Sequence, residues 1–428
     1  MFIFLNYITF ILCSIIAFFA IRRLTRSRYS VLHICALVFY VIQVVPLLVD
    51  TFSSIDELQK ETPYIYYAMT DEKVNIYYSL FCLVSMHALY KVGVIYSNKV
   101  LKTNKIALNA PKNKIIEYVS FAFMFIPMVG VVLAPDPSIY SKFSYFYTHS
   151  YNVTGVEFQY HKLVILLLNY VACFSILIYY YQKSENKVAL FFLFLASFVV
   201  VWVDGKRAFM LFLFLGMIFI DFIKSNFKIK KIYSKKNIII FILIIGYLSY
   251  YSSVTNKNKT ETFFQTYNAY LCRESEVKLS IYSLLNGNDM LPYSGASLLY
   301  DATFFLPRQV WKDKPYGFYN YLTSYAYFGT GNNFLPGSNR QVNIWSEFIA
   351  NFGIIGYFFS ILFVCGIIRR SERSPNRVVY VIGSLFMILY MCFGFEFIVM
   401  LLFYIWLFLY LFKNKRIKKK SAPVYERT

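Results

Sequence analysis

Long apolar stretches separated by short charged connections run along the whole chain. Each stretch is near the length of about 20 residues that a helix needs to cross a bilayer. The apolar stretches lie at 2–20, 30–49, 74–96, 115–134, 162–181, 188–203, 208–223, 237–252, 344–368, 378–393 and 397–412. This pattern predicts an all-α fold, a polytopic membrane helical bundle with about 11 transmembrane helices that forms a single integral membrane domain over residues 1–428.

The composition and the positions of the charges agree with this prediction. Of the 428 residues, 58% are hydrophobic and 15% are charged, which is typical of integral membrane proteins. Alternate connections hold 28 of the 43 Lys and Arg residues, whereas most acidic residues lie in the other connections. The positive-inside rule then places the C-terminus in the cytoplasm and the N-terminus on the periplasmic side. We interpret the net charge of +21 as a topology signal and a contact with membrane lipids, with no nucleic acid as a partner.

One long stretch lacks a predicted span, namely the external loop at residues 254–343, which is 90 residues long. Two parts of this loop carry apolar residues at helical spacing. They are Phe263, Phe264, Tyr267, Tyr270 and Leu271 in the first part, and Val277, Ile281, Leu284 and Leu285 in the second. We predict short amphipathic helices here, which either lie on the outer leaflet or pack against the roof of the bundle.

A tight external turn, Asp204-Gly205-Lys206-Arg207, joins two of the predicted spans. Charges at the centre of a membrane helix cost about 2.5–3.5 kcal/mol each, so charges beside a span need a reason. One interpretation is a solvated turn whose basic side chains extend to lipid headgroups. The other is a phosphate-binding site, in which the planar guanidinium of Arg207 faces the bundle interior.

A second basic group, which we call the basic loop segment, lies at residues 306–315. It contains Arg308, Trp311, Lys312 and Lys314 between two prolines. The prolines favour an extended path, so these basic residues cannot all lie on the solvated face of a helix. Either they rest against the outer leaflet, which suits Lys312 better than Arg308, or they bind an anionic substrate.

Polar residues recur at the start of the ninth predicted span, at Arg340, Asn343, Glu347 and Asn351. Their spacing of 3, 4 and 4 residues predicts that they share one helical face. A carboxylate near the start of a span is costly unless it meets a partner or a water-filled cavity. Glu347 therefore either pairs with Arg207 or Arg340 and holds the bundle together, or it belongs to a functional site.

Other residues are weaker candidates, and several kinds of site are not indicated. Gly353 and Gly356, farther along the ninth span, favour close contact with a neighbouring helix. Glu396, His149 and His161 lie in predicted external turns and loops, where histidines are commonly solvated.

The chain has no Gly-rich lysine motif for ATP and no histidine spacing typical of zinc. We expect no cofactor and no metal.

The ordered set of these features resembles the Wzy-type oligosaccharide repeat-unit (O-antigen) polymerases. The many spans with one large external loop near the C-terminal end cover the whole chain. The local motifs are Gly205-Lys206-Arg207 at the start of a span, Phe304-Phe305-Leu306-Pro307-Arg308 leading into Trp311-Lys312-Asp313-Lys314-Pro315, and Ser346-Glu347-Phe348-Ile349-Ala350-Asn351-Phe352-Gly353-Ile354-Ile355-Gly356 at the start of the next span. These motifs cover only 205–207, 304–315 and 337–356.

The resemblance implies a GT-C-like, metal-independent glycosyltransferase at the periplasmic face of the bacterial inner membrane. Such an enzyme polymerises undecaprenyl-diphosphate-linked oligosaccharide repeat units for O-antigen or a similar surface polysaccharide. Its implied partners are an undecaprenyl-diphosphate-linked glycan donor and acceptor, membrane lipids, a chain-length regulator and a flippase.

The implied reaction assigns roles to the clusters described above. Positive charges stabilise the diphosphate leaving group, and one base takes the proton of the attacking hydroxyl. We expect Glu347 to be the catalytic base. The residues expected to bind the diphosphate are Arg207, Arg308, Arg340, Lys206 and Lys314, and those expected to bind other parts of the substrate are Asn343, Asn351 and Trp311.

Three other functions remain open. An O-antigen ligase shares the many spans and the basic external residues, but the histidine expected near the start of the span after the loop is absent from the sequence. A lipid-linked oligosaccharide flippase, which is a transporter, needs charges along a path through the bundle centre, whereas these charges lie at the external ends. A non-enzymatic assembly partner would tolerate the loss of Arg207, Arg308 or Glu347.

Overall fold

The computed structural model of the chain describes residues 2–26, 30–50, 62–103, 114–141, 156–205, 207–225, 234–255, 273–303, 306, 308, 310–334, 340, 342–374 and 377–393. Over these residues the chain forms helices and turns without a β-strand, so the all-α prediction is confirmed for this part. The α-helices, numbered in chain order, are α1 (Phe2–Thr25), α2 (Val31–Val49, with a π-helical turn at Tyr40–Val44), α3 (Pro63–Thr70), α4 (Glu72–Thr103), α5 (Lys114–Phe123), α6 (Ile126–Val132), α7 (Val156–Lys183), α8 (Lys187–Asp204), α9 (Arg207–Lys224), α10 (Lys235–Thr255), α11 (Glu274–Leu285), α12 (Ala296–Thr303), α13 (Phe318–Phe328), α14 (Ile344–Arg373) and α15 (Arg377–Phe393).

Among the described residues, six helices are long and apolar enough to cross a membrane, which identifies a membrane protein. They are Phe4–Thr25, Val31–Val49, Glu72–Ser97, Val164–Lys183, Lys187–Asp204 and Ile344–Arg373. Large apolar side chains such as Phe18 and Phe191 are exposed on these helices, as lipid contact requires. Ten of the predicted spans coincide with helices, and the one at 397–412 lies outside the described residues. The count of about 11 transmembrane helices and the GT-C-like fold stay predictions.

The predicted turn between α8 and α9 is present. Asn186 caps the start of α8, because its side-chain oxygen accepts hydrogen bonds from the N–H groups of Val188 (2.9 Å) and Ala189 (3.3 Å). Gly205 ends α8 in the left-handed conformation, with φ at +68°, which glycine adopts without steric cost. The next helix, α9, begins at Arg207 and packs against α8.

Glu372, near the end of α14, holds the start of α2. Its carboxylate accepts hydrogen bonds from the hydroxyl of Ser30 (2.8 Å) and from the N–H of Val31 (2.6 Å). The first N–H groups of a helix have no partner within the helix, and a carboxylate there also meets the positive end of the helix dipole. This contact therefore joins the predicted cytoplasmic ends of α2 and α14.

The α2 helix widens into a π-helical turn at Tyr40–Val44. A wider turn disturbs the regular hydrogen bonding of the helix and frees backbone groups for other partners. The Ile42 carbonyl accepts a bond from the N–H of Arg273 (3.0 Å), and the Gln43 carbonyl accepts one from the Tyr78 hydroxyl (2.7 Å). The segment that leads into α11 is thus attached directly to the backbone of a membrane helix.

Gly353 interrupts α14 with φ at +60° and ψ at −140°, a conformation that other residues rarely adopt. The bend brings the Phe348 carbonyl so close to Gly356 that a Cβ at Gly356 would overlap the carbonyl oxygen. The close approach at Gly356 thus occurs within α14, whereas a Cβ at Gly353 would lie 3.5 Å from Leu284 of α11. The kink sets the first turns of α14, with Glu347 and Asn351, apart from the remainder of the helix.

Three described helices, α11, α12 and α13, belong to the predicted external loop at 254–343. The α11 helix packs against α3, α4 and α14, with Val277 and Ile281 buried and Leu284 partly exposed. This helix thus takes the second of its two predicted positions, against the bundle. The other predicted amphipathic segment, at 263–271, lies outside the described residues.

Candidate functional site

The start of α14 separates the four polar residues that the sequence predicts to share one helical face. The helix begins directly after Asn343, whose side-chain oxygen caps it by accepting a hydrogen bond from the N–H of Ser346 at 2.9 Å. Arg340 and Asn343 precede the helix, so the expectation that they share a helical face with Glu347 and Asn351 is wrong. Glu347 and Asn351, four residues apart within the helix, do share a face. Asn343 has a structural role here, and its contact with substrate stays a prediction.

Glu347 and Asn351 meet two residues of α12 in a buried polar group, which we call the carboxyl cluster: Ser297, Asp301, Glu347 and Asn351. The Ser297 hydroxyl donates to Glu347 Oε1 at 2.8 Å. Asn351 Nδ2 donates to Ser297 Oγ at 2.8 Å and to the Glu347 carbonyl at 2.7 Å. Asp301, one turn after Ser297, is joined to the Glu347 carboxyl by a side-chain hydrogen bond. All four side chains are buried, and Asn351 Oδ1 has no hydrogen-bond partner among the described residues.

The α12 helix also contacts the basic loop segment, through Tyr300. Lys314 Nζ lies 4.8 Å from the ring centroid of Tyr300, which follows Ser297 by three residues, and donates to the Leu306 carbonyl at 2.9 Å. Burial, and to a smaller extent the positive charge of Arg308, lower the pKa of the Lys314 ammonium. Lys314 is only 4% exposed, so its charge lies within the folded loop.

The Arg308 guanidinium orders the basic loop segment. It donates to the carbonyls of Lys314 (2.6 Å) and Pro315 (2.9 Å), and its central carbon lies 3.6 Å from the ring centroid of Tyr316. A guanidinium has more N–H donors than these two bonds use, so Arg308 can hold the loop and still meet an anion. Lys312, by contrast, is exposed, which agrees with a solvated or headgroup-facing position.

Arg340 lies at a different boundary of the fold. Its Nη2 nitrogen is 3.8 Å from Glu276 Oε1, and its backbone N–H donates to the Thr323 hydroxyl at 2.8 Å. Its Nε is buried without a hydrogen-bond partner. Arg340 therefore pairs with α11, and the alternative in which it neutralises Glu347 is wrong.

Four charged residues outside the predicted site are buried at the start of α11. Arg273, Glu274, Glu276 and Lys278 are each no more than 4% exposed. Lys278 forms an ion pair with Glu274, and its Nζ lies 5.2 Å from the ring centroid of Tyr78 on α4. Buried ions in a membrane protein are costly unless paired, so these charges have a specific role in holding α11. The sequence feature that could have indicated this buried group is the presence of four charged residues among six, Arg-Glu-Ser-Glu-Val-Lys.

Arg273 connects this charged group to the end of α15 and to the residue that caps α14. Its Nε donates to the Cys392 carbonyl at 3.0 Å, and its own carbonyl accepts a bond from Asn343 Nδ2 at 3.3 Å. Asp50, directly after α2, belongs to the same group. Burial, and next the negative charge of Glu274, raise the pKa of the Asp50 carboxyl well above its usual range, although Lys278 partly opposes this.

His161 lies within α7 rather than in a loop. It is buried, and its Nε2 is 2.8 Å from the hydroxyl of Tyr140. Burial lowers the pKa of the His161 imidazole. The expectation of a solvated loop histidine is therefore wrong for His161, which joins α7 to the short 3-10 helix Pro137–Ser141.

Of the remaining predicted residues, Trp311 lies within the described part of the chain. Trp311 is half-buried, and its carbonyl accepts a bond from the Lys314 N–H at 3.2 Å. Lys206 and the Arg207 side chain lie outside the described residues, as do His149 and Glu396. Within the described ranges, no three His, Cys, Asp or Glu side chains converge in a way that could hold a metal ion.

The structure thus brings together Glu347 with Asn351, and Arg308 with Lys314, and α12 contacts both pairs. Asn343 and Arg340 instead contact the start of α11. In comparisons with known proteins, no family model, no curated protein and no solved structure matches the chain.

Proposed function

We propose that this chain is a membrane glycosyltransferase that polymerises lipid-diphosphate-linked oligosaccharide repeat units, as its resemblance to Wzy-type O-antigen polymerases implies. The observation that carries the proposal is the position of α12, whose Ser297 holds Glu347 and whose Tyr300 contacts Lys314. A buried carboxyl group and a basic loop segment thus lie beside one short helix. Transfer of a glycan from a lipid diphosphate needs a base for the acceptor hydroxyl and cations for the leaving group.

The proposed step is a displacement at the anomeric carbon of the donor glycan. A hydroxyl of the acceptor repeat unit attacks this carbon while Glu347 takes the hydroxyl proton, and the undecaprenyl diphosphate leaves with the electron pair of the broken C–O bond. Arg308 and Lys314 offset the negative charge that develops on the diphosphate. The further proposed contacts are Lys206, Arg207 and Arg340 for the diphosphate, and Asn343, Asn351 and Trp311 for the remainder of the substrate.

The proposal also gives the protein a place and an orientation. The reaction takes place at the periplasmic face of the bacterial inner membrane, with the N-terminus periplasmic and the C-terminus cytoplasmic. The uneven distribution of Lys and Arg supports this orientation. A flippase would deliver the repeat units, and a chain-length regulator would set the length of the product.

The test is electrophoresis of lipopolysaccharide from a strain in which the gene is deleted and then restored as the native chain or a variant. The site variants are Glu347→Gln, which keeps the size of the side chain, and Arg308→Ala. The matched controls are Glu185→Gln and Lys312→Ala, because both parent side chains are exposed. The amount of each variant in the membrane is measured in parallel.

We expect the deletion to leave the lipid core with a single repeat unit, because flipping and ligation still operate. The native chain and both controls should restore the ladder, whereas Glu347→Gln and Arg308→Ala should not. Bare core in the deletion strain would indicate a ligase or a flippase instead. A ladder that is unchanged on deletion would contradict the proposal, and full restoration by both site variants would indicate a non-enzymatic partner.

A further inference from the structure

Two pairs of buried polar residues face each other where α12 meets α14. Ser297 and Asp301 are four residues apart on α12, and Glu347 and Asn351 are four residues apart on α14, so each pair lies on one helical face. The four residues are 0%, 7%, 4% and 1% exposed. Each polar atom here therefore depends on its neighbours for hydrogen bonding.

The direction of the hydrogen bonds can be worked out from the contacts. A backbone carbonyl only accepts, so the Asn351 amide atom 2.7 Å from the Glu347 carbonyl must be the nitrogen. The same nitrogen lies 2.8 Å from Ser297 Oγ, and therefore donates to it. Ser297 is then free to donate its own proton to Glu347 Oε1 at 2.8 Å.

The contact between Glu347 and Asp301 joins two carboxyl groups. Ionised carboxylates only accept hydrogen bonds and repel each other, so a hydrogen bond between them requires a proton on one of the two. This proton therefore lies between the Glu347 and Asp301 carboxyl groups.

We infer that Asp301 is a positioning residue for Glu347, and that the two carboxyl groups form a dyad that holds one proton. The catalytic meaning of the dyad rests on the proposed function. The shared proton and the Ser297 hydroxyl together fix the orientation of the Glu347 carboxyl group, as a base must be oriented toward the hydroxyl it serves.

The dyad also provides for the proton released in the transfer step. The acceptor O–H bond breaks, the new C–O bond forms, and the diphosphate leaves with the electrons of the old C–O bond. The dyad, which begins with one proton and one negative charge, takes up the second proton and becomes neutral. Loss of that proton to water then restores the starting state.

The test uses the purified full-length chain in nanodiscs and infrared difference spectroscopy of the protonated carboxyl C=O stretch, in H₂O and D₂O at neutral pH. Asp301→Asn keeps the size of the side chain and can donate an N–H to Glu347, but it cannot share a proton. Asp289→Asn is the matched control, because Asp289 is exposed in the same external loop. We expect Asp301→Asn to lose a carboxyl band that shifts in D₂O, and Asp289→Asn to retain it. Retention of every such band in Asp301→Asn would overturn the dyad.

A kinetic measurement completes the test. With lipid-linked repeat units as substrate, Asp301→Asn should lower kcat by about 10²-fold with little change in KM. The reason is that an amide cannot share the proton and so does not fix the Glu347 carboxyl group in the same orientation, while substrate binding is retained. A native kcat in Asp301→Asn would overturn the positioning role. The infrared measurement detects the dyad even in a chain that does not polymerise glycans, so failure of the proposed function and failure of the dyad are distinguishable.

Discussion

Removal of the Arg308 guanidinium should loosen the basic loop segment. Arg308 is the one side chain that links the carbonyls of Lys314 and Pro315 with the face of Tyr316 in the described part of this segment. In Arg308→Ala the two carbonyls lose their donor and the Tyr316 ring loses its cation. Arg308→Lys keeps the charge but not the planar fork, so an intermediate effect is expected.

The magnitude follows from these three contacts. A hydrogen bond to a charged donor contributes about 1.5–3 kcal/mol, and a cation–π contact contributes about 0.5–2 kcal/mol. Because Arg308 is only half-buried, solvent weakens each contribution, and the low end of each range applies. The loss for Arg308→Ala is then roughly 3 kcal/mol in the free energy of local opening, which corresponds to about a 10²-fold change in the opening equilibrium.

Hydrogen–deuterium exchange in nanodiscs measures this opening directly. The N–H of Lys314 bonds to the Trp311 carbonyl at 3.2 Å, and the N–H of Tyr316 bonds to the Tyr321 hydroxyl at 3.0 Å. Both amides should exchange about 10²-fold faster in Arg308→Ala. The exposed Lys312 is the matched control, and Lys312→Ala should exchange at the native rate. Native exchange in Arg308→Ala would refute the reasoning, since the guanidinium would then not hold the loop.

Three further predictions concern buried or closely packed positions. Gly356→Ala places a Cβ against the Phe348 carbonyl and should lower the melting temperature, with a cost of about 1–3 kcal/mol, whereas Gly366→Ala meets open space and should not. Lys278→Ala leaves Glu274 buried without its ion-pair partner and should cost about 3–5 kcal/mol in thermal unfolding, and a native melting temperature would contradict this. The raised pKa of Asp50 means that the folded protein favours the neutral acid. The Asp50 carboxyl therefore contributes most to stability when the pH is below its pKa in the unfolded chain, and this contribution is lost as the pH rises through its raised pKa in the folded chain. In melting curves from acidic to neutral pH, Asp50→Asn should remove this loss.

The membrane helices and the turn at 204–207 can be predicted from local properties alone. An apolar run of span length has few stable conformations other than a helix in a bilayer, and Gly205 suits the left-handed end of α8. The shared face of Glu347 and Asn351 also follows from helical spacing. These features depend only on residues that are close together in sequence.

The start of α14 shows where periodicity alone misleads. The spacing from Arg340 to Asn351 is helical, but Asn343 is also a preferred N-cap residue, and its side chain ends the pattern by capping the helix. A cap and a helical face compete for the same residue, and only the backbone conformation at Asn343, with φ at −134° and ψ at 159°, decides between them.

The contacts of Arg273 and Asp301 could not be predicted, because each depends on how distant segments dock, and those of Arg308 could not be predicted for a different reason. Arg273 meets the end of α15 across 119 residues of sequence, and Ser297 meets Glu347 across 50 residues. Arg308 instead bonds to carbonyls of its own loop, whose path has no repeating pattern to read. Tertiary packing thus determined which charges are buried and which partners they meet.

The most direct measurement of the proposed function is a polymerisation assay with the purified protein. The chain in nanodiscs is mixed with undecaprenyl-diphosphate-linked repeat units, and the products are separated by length. We predict that the native chain converts single units into a ladder of longer glycans and releases undecaprenyl diphosphate, and that folded Glu347→Gln is slower by about 10²–10⁴-fold. Equal ladders from the native chain and Glu347→Gln would contradict the role of Glu347 as the base, and absence of longer glycans with the native chain would contradict polymerisation itself.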